Sequence, residues 1–387
     1  MSLKIAVIAY SCRSGGGLIQ TINLFKALKD VSQNERYLLI CPANCGYEDV
    51  EFPSRSDLFL YPGPHTLSPR LKFEYIKLPK IIKDYAPDVV FSPANVGLAK
   101  PTAPQVLYIR NAYFFYDKKH YPNMYFKMRL RLMMLRYQMK QFVRTSSWIF
   151  CQTPVVKKHF CQKYSYPEDK VTVLGFPPPM EISTSKKMKT PMVIERSRNS
   201  FHVLVLTRYM PHRNPHVLLP LCKKYATQLR ENKIKFITTV NPQDNKPSQK
   251  FLRDINTGDI RDLIVNVGQL SREEVAAYLQ AADLLWMPTL LECLPTPYLE
   301  AMIAGLPILA PDLDFSQYVC NDAAVYYNPW DMDSIYNELI NIRKKEKLRN
   351  HLIAQGLKQL KKTEKFPADW NVVARDILRV LHQVADK

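Results

Sequence analysis

Ser14-Gly15-Gly16-Gly17 stands between an apolar run, Lys4 to Tyr10, and a segment, Leu18 to Leu28, whose Leu18, Ile22, Phe25 and Leu28 fall at helical spacing. Glycines at such a junction let backbone N–H groups approach a phosphate, because no Cβ intervenes and a helix N-terminus carries partial positive charge. A tight turn with no ligand uses the same residues. Two carboxylates further on are also unusually placed. Glu292 lies in a loop between apolar runs, and Glu300 follows within a helical pattern that opens near Pro297. Asp312-Leu313-Asp314 and Asp331-Met332-Asp333 have the composition of a divalent-metal pair, but both stand beside strand ends and no metal is expected there. The eight cysteines are scattered without a CxxC pair. Cys41 and Cys45 lack a second ligand pair at zinc spacing, so buried thiols of a reducing compartment are the simpler reading.

These residues need elements to hold them. At 387 residues the chain exceeds one ordinary core, and its apolar content of 47% supplies two. Buried strands are expected at 4–10, 37–41, 88–92, 105–109 and 148–152, with helical patterns between them. Strand, glycine turn and helix open a nucleotide-binding half-domain, and the alternation implies a parallel sheet. Gly175-Phe176-Pro177-Pro178-Pro179 and the polar stretch after it read as a linker. The alternation then restarts, with strands at 202–206, 234–240, 264–267, 283–287 and 307–310 and helices near 215–230, 272–281 and 297–304. The expected organisation is an N-terminal Rossmann-like domain over 1–178, a linker over 179–200, a second domain over 201–366, and a C-terminal helix in 367–387 that packs back on the first domain.

The stretch from His202 to Pro329 resembles the donor-binding domain of retaining GT-B glycosyltransferases, of the group 1 or family 4 type. Leu206-Thr207-Arg208 with Pro211-His212-Arg213-Asn214 resembles the family's Arg…Lys pair. Val267-Gly268-Gln269-Leu270-Ser271 precedes Glu273-Glu274-Val275 at a helix start. Pro288 to Pro307 carries Glu292 and Glu300, seven residues between them, like the family's two glutamates. About a third of the chain carries the match strongly.

The resemblance implies an α/β fold of two Rossmann-like, doubly wound parallel-sheet domains facing a cleft. It implies an enzyme that moves a sugar from a UDP- or GDP-linked donor to a hydroxyl of a glycan or lipid-linked acceptor with retention. In this reading Arg208, Arg213 and Glu292 are catalytic, the arginines countering charge on the departing diphosphate with neither metal nor cofactor. Glu300 takes the ribose hydroxyls, while Thr296, Gly268, Leu270, Gly16 and Gly17 complete the nucleotide site. Arg110 and Asn111 stand on the acceptor side, where many relatives have a histidine. Arg213 replaces the usual lysine, keeping the charge but presenting a planar fork. Pro295 and Pro297 replace glycines of the phosphate loop and have no N–H to offer, leaving Thr296 to contribute its own. These departures keep open a second reading, a catalytically degenerate GT-B protein that binds a nucleotide-sugar or glycan.

The formal net charge is +19, which favours anionic partners. No nucleic-acid module signature accompanies it, and nucleic acid is not expected as a partner. Lys118 to Arg144 hold eight Lys or Arg and no acidic residue. Met124, Met128, Leu132, Leu135, Met139 and Phe142 form an apolar stripe there, flanked by Arg129, Arg136 and Lys140 on one side and Lys127 and Arg131 on the other. Such a helix packs on a sheet or lies on an anionic membrane. No apolar run approaches the ~18 residues of a membrane span. The expected location is the cytoplasm or the cytoplasmic face of a membrane.

Overall fold

The computed structural model describes residues 2–64, 66–122, 124–179, 188–197 and 199–386. It divides into two compact units, one of Met1–Tyr116, Tyr125–Pro177 and Pro367–Lys387, the other of Asp117–Met124 and Pro178–Phe366.

The first unit is built on seven parallel strands: β1 (Lys4–Ile8), β2 (Arg36–Pro42), β3 (Ser56–Tyr61), β4 (Val89–Ser92), β5 (Gln105–Ile109), β6 (Trp148–Cys151) and β7 (Val171–Val173). Their spatial order is β3-β2-β1-β4-β5-β6-β7, so the chain reverses its direction of travel between β1 and β4. The central strands are near-continuous apolar runs because both faces are covered. β3 and β7 are the two edges, and their part-exposed, partly polar sequences hide them from a search for buried runs.

The glycines are not a turn ahead of a helix. The helix itself runs Gly15–Val31, with Ser14 at its N-cap and the three glycines as its first residues. The closing helix, Trp370–Ala385, buries Val373, Ile377, Val380, Leu381 and Val384 in the core of this unit, alongside Leu24 and Leu28 of the Gly15–Val31 helix. Full burial of each such side chain contributes about 1.5–3 kcal/mol. Trp370 stacks on Phe176 at 6.0 Å between ring centres, and Asp369 caps the helix by accepting from the Val372 N–H.

The basic segment is not one helix. Lys118–His120 form a separate short turn, Met124 lies in the 117–124 segment of the other unit, and the helix proper is Phe126–Arg144. Leu132, Met139, Phe142 and Val143 face the core, so most of the stripe read from the sequence is a packing face. Among the described residues no helix is long and apolar enough to cross a membrane.

The second unit has six parallel strands: β8 (Phe201–Val205), β9 (Ile234–Thr238), β10 (Ile264–Asn266), β11 (Leu284–Trp286), β12 (Ile308–Pro311) and β13 (Ala324–Tyr327). Their order is β10-β9-β8-β11-β12-β13, with the reversal between β8 and β11. Trp286 and Phe236 centre the core, 5.7 Å apart. The helix expected over 215–230 is broken in two, Leu218–Lys224 and Ala226–Glu231. Part of the 179–200 segment, residues 180–187 and 198, lies outside the described residues; Met192–Glu195 form a short helix within it. None of the eight cysteines is joined in a disulfide, and all but Cys45 are buried.

Candidate functional site

In an open parallel sheet, ligands settle outside the carboxyl ends of the strands where the winding reverses. Each unit has one such point.

In the second unit it lies between β8 and β11, and the loops leaving these strands carry Arg208, Arg213 and Glu292. The two loops are pinned together. The Leu290 N–H donates to the His212 carbonyl at 2.7 Å, and the Thr289 hydroxyl donates to the same carbonyl at 3.3 Å. Arg213 ends a short 3-10 turn, and Asn214 after it adopts a left-handed conformation that redirects the chain. The result brings the Arg213 guanidinium to 3.2 Å from Glu292 Oε1. The Thr289 hydroxyl also reaches Glu292 Oε1, at 3.4 Å.

Burial raises the Glu292 carboxyl above the usual carboxylate range, against the opposing pull of Arg213 and of the Thr289 hydrogen bond. His212, adjacent and half-buried, is held well below the ordinary histidine range by desolvation and by Arg213, so it is neutral near pH 7. A cation and an acid of adjustable charge therefore stand together at the switch point.

Arg208 goes elsewhere. Its Nε and Nη2 both donate to Asp244 Oδ1, at 3.1 and 2.7 Å, while Asp244 Oδ2 accepts from the Tyr209 N–H. Asp244 is almost wholly buried and Arg208 is 67% exposed. The two arginines thus serve different carboxylates. Asp244, in the loop after β9, is invisible to spacing arguments because it lies far along the chain from Arg208.

Glu300 lies in the helix Thr296–Ala304 and is buried. Its Oε1 accepts from Arg272 Nη1 at 2.7 Å, which places an unanticipated cation on the carboxylate. Arg272 opens the helix Arg272–Ala281, capped by Ser271 and Glu274 in a reciprocal capping box. Gly268, at φ +75°, and half-buried Leu270 form the turn into that helix. Thr296 is the first residue of its own helix, behind Pro295 at the N-cap, and no side chain caps that end. The helix start has no acidic residue in its first turn, so its positive end is uncompensated by its own sequence.

The aspartate pairs are otherwise engaged. Asp331 caps a helix by accepting from the Asp333 N–H, Asp333 bonds Lys224 and Tyr225, and Asp312 accepts from Gln317. Among the described residues no three His, Cys, Asp or Glu are grouped to hold an ion.

In the first unit the reversal falls between β1 and β4, where the Gly15–Val31 helix begins. An added Cβ would meet nothing within 4 Å at Gly17, and only Gln20 at 4.0 Å at Gly16. Packing does not require these two glycines, whereas Gly15 needs its φ of +59°. Arg110, just past β5, braces this corner: its N–H donates to Asn95 Oδ1 at 2.7 Å and its Nη1 to the Pro93 carbonyl at 3.3 Å. Asn111 is a cap, its side-chain oxygen accepting from the Tyr113 N–H at 3.1 Å.

Two parallel doubly wound sheets, each with a site-bearing reversal, define a protein of the GT-B fold. The family model described as "Glycosyl transferases group 1" matches residues 167–359, and it is to this family that the segment belongs. The chain is 30% identical over 131 residues to a phosphatidyl-myo-inositol mannosyltransferase of Mycobacterium leprae, covering 33% of this chain and 34% of the relative. It is 33% identical over 81 residues to an MMP alpha-(1->4)-mannosyltransferase of Mycolicibacterium hassiacum, covering 21% and 18%. The matches thus span about a third or less of these relatives' lengths. The crystal structure of Anabaena HepE in complex with UDP-glucose superposes with a TM-score of 0.72 at 15% identity, covering 98% of this chain and 100% of that one, which is a likeness of fold.

Proposed function

We propose that the protein is a retaining glycosyltransferase that takes a UDP- or GDP-linked sugar and transfers it to a hydroxyl of a glycan or lipid-linked acceptor. The Arg213–Glu292 pair at the switch point of the second sheet carries this reading. The anomeric carbon–oxygen bond to the diphosphate breaks, and the acceptor oxygen bonds to that carbon on the same face. The acceptor's proton passes to the departing phosphate oxygen. Negative charge gathers on that phosphate, and Arg213 with the single N–H of Thr296 stabilises it without a divalent metal. Glu300 retains a carboxylate oxygen beyond the one held by Arg272 and accepts from the ribose hydroxyls. The group 1 family match over this segment supports the assignment, as do UDP-glucose in the complex of Anabaena HepE and the mannosyltransferase names of the curated relatives.

The experiment is to incubate the protein with α-linked nucleotide-sugars and a panel of hydroxyl acceptors, then read the anomeric configuration of the product by NMR. An α-linked product is expected. A β-linked product would overturn retention. The prolines at 295 and 297 favour a second reading, a degenerate binder. Saturable nucleotide-sugar binding without transfer or hydrolysis would establish it.

A further inference from the structure

The Phe126–Arg144 helix is apolar on two opposite sides. One side is the packing face already described. On the other, Phe126, Leu130, Met133, Met134 and Tyr137 recur at the spacing of a single helical stripe, and all are exposed, from 37% at Met134 to 79% at Phe126. Tyr75 and Ile76, from the segment Phe73–Lys77, are exposed as well, and Tyr75 is joined to this helix by a hydrogen bond from Gln138. An apolar ridge of this size left in water is an interaction surface.

Its borders are cationic. Lys127, Arg129, Arg131, Lys140 and Arg144 are exposed, and among the described residues none meets a carboxylate. On one flank lies a groove of about 480 Å³ walled by Leu71, Leu130, Met134 and Leu135 with Lys127 and Arg131. On the other, a cavity of about 550 Å³ is lined by Arg136, Lys140, Arg144 and Lys163 with Phe114 and Tyr164, and no carboxylate lines it. Arg136 is committed to the carbonyls of Tyr113 and Tyr116, which leaves three cations for an anion.

We propose that this side of the helix docks on an anionic phospholipid bilayer, the ridge entering the acyl boundary and the basic cavity taking a headgroup phosphate. The charge pattern selects the occupant. A second copy meeting the same face would set five unpaired cations against five. A nucleic acid would satisfy the cations but leave Leu130, Met133 and Met134 uncovered, since aliphatic side chains offer bases no stacking surface. Only a surface that is anionic outside and apolar beneath matches both features.

The test uses the intact protein in vesicle co-sedimentation and is independent of catalysis. Wild type should pellet with phosphatidylcholine vesicles holding about 30% phosphatidylglycerol, and not with phosphatidylcholine alone. Raising salt from about 0.1 M to about 1 M should release most of it, because the screening length falls from ~10 Å to ~3 Å. Phe126→Ser combined with Met133→Ser and Tyr137→Ser, and separately Lys127→Glu combined with Arg131→Glu and Lys140→Glu, should each cut the bound fraction at least about tenfold. All six positions are exposed, so thermal melting and donor-nucleotide affinity should be unchanged. Failure of nucleotide binding in wild type would count against the proposed function and leave the lipid result standing. Wild type that ignores anionic vesicles, partitions equally onto neutral ones, or forms a dimer that the serine variants dissolve overturns the proposal.

Discussion

The Arg213 guanidinium lies 3.2 Å from Glu292 Oε1, across two loops that leave adjacent strands on either side of the sheet's reversal. Each partner sets the other's state. Burial pushes the Glu292 carboxyl up and Arg213 pulls it down. Arg213→Met therefore removes a downward influence, and Glu292 should titrate at higher pH still. The acid limb of the activity profile should move up in this variant, on top of a loss in turnover of roughly 2–4 kcal/mol in activation free energy. A pH–rate profile that keeps its wild-type acid limb would show that Glu292 is not the group being read.

The same carboxyl makes a stability prediction with a definite sign. A carboxyl whose folded pKa is raised binds its proton more tightly in the folded state than in the unfolded one. Stability then falls as pH rises from the unfolded value, about 4.3, through the folded value, and the penalty is complete above it. Glu292→Gln does not titrate. The melting temperature of the variant relative to wild type should rise between pH 4 and pH 7, whatever its offset at the acid end. A difference that is flat or falls across this window would contradict the burial argument.

Glu300→Gln should weaken donor-nucleotide binding by roughly 1–2 kcal/mol, because a bond from a hydroxyl to a carboxylate is stronger than one to an amide. Isothermal calorimetry with the free nucleotide diphosphate reads this directly. Unaltered affinity would remove Glu300 from the ribose site and leave it as Arg272's partner.

Arg208 offers a sharper case, since it is already bound to Asp244. A phosphate that recruits Arg208 must first displace Asp244, and that displacement subtracts from the binding energy. Asp244→Asn should therefore tighten diphosphate binding by a few-fold, whereas Arg208→Ala weakens it. The stability cost of the lost ion pair should stay below about 1 kcal/mol, because Arg208 is mostly in water. Equal affinity in wild type and Asp244→Asn would mean that Arg208 keeps its internal partner throughout.

Much of this arrangement is legible in one dimension, and the reasons differ by residue. Ile5, Val7, Leu39 and Phe91 read as buried strands because a parallel sheet covered on both faces needs unbroken apolar runs. Edge strands β3 and β7 escape because one side of each is free of that demand. Glu292 and Arg213 could be named from their motifs. Their partners could not all be: Asp244 and Arg272 reach the site through loop closure between strands distant in sequence. The basic helix misleads for another reason. A wheel shows one apolar stripe when the eye starts from Leu132 and another when it starts from Leu130, and only the sheet decides which one is inside.

Gly16 and Gly17 allow fold and function to be separated in a single substitution. Both lie within the first turn of the Gly15–Val31 helix, and neither has a positive φ. A methyl group at Gly17 meets no atom within 4 Å, so the fold gives no reason for its absence. Alanine is a better helix former than glycine by about 0.5–1 kcal/mol. Gly17→Ala should therefore melt at the same temperature as wild type or slightly above it. If the N–H groups of this turn approach the donor phosphate or the acceptor, the added methyl group occupies that approach and kcat/KM should fall at least about tenfold, a loss near 1.4 kcal/mol. Gly15→Ala is the control, because it forces a residue with a side chain to φ +59° and should lower stability outright. A Gly17→Ala protein with wild-type turnover would reduce the glycines to helix-start geometry.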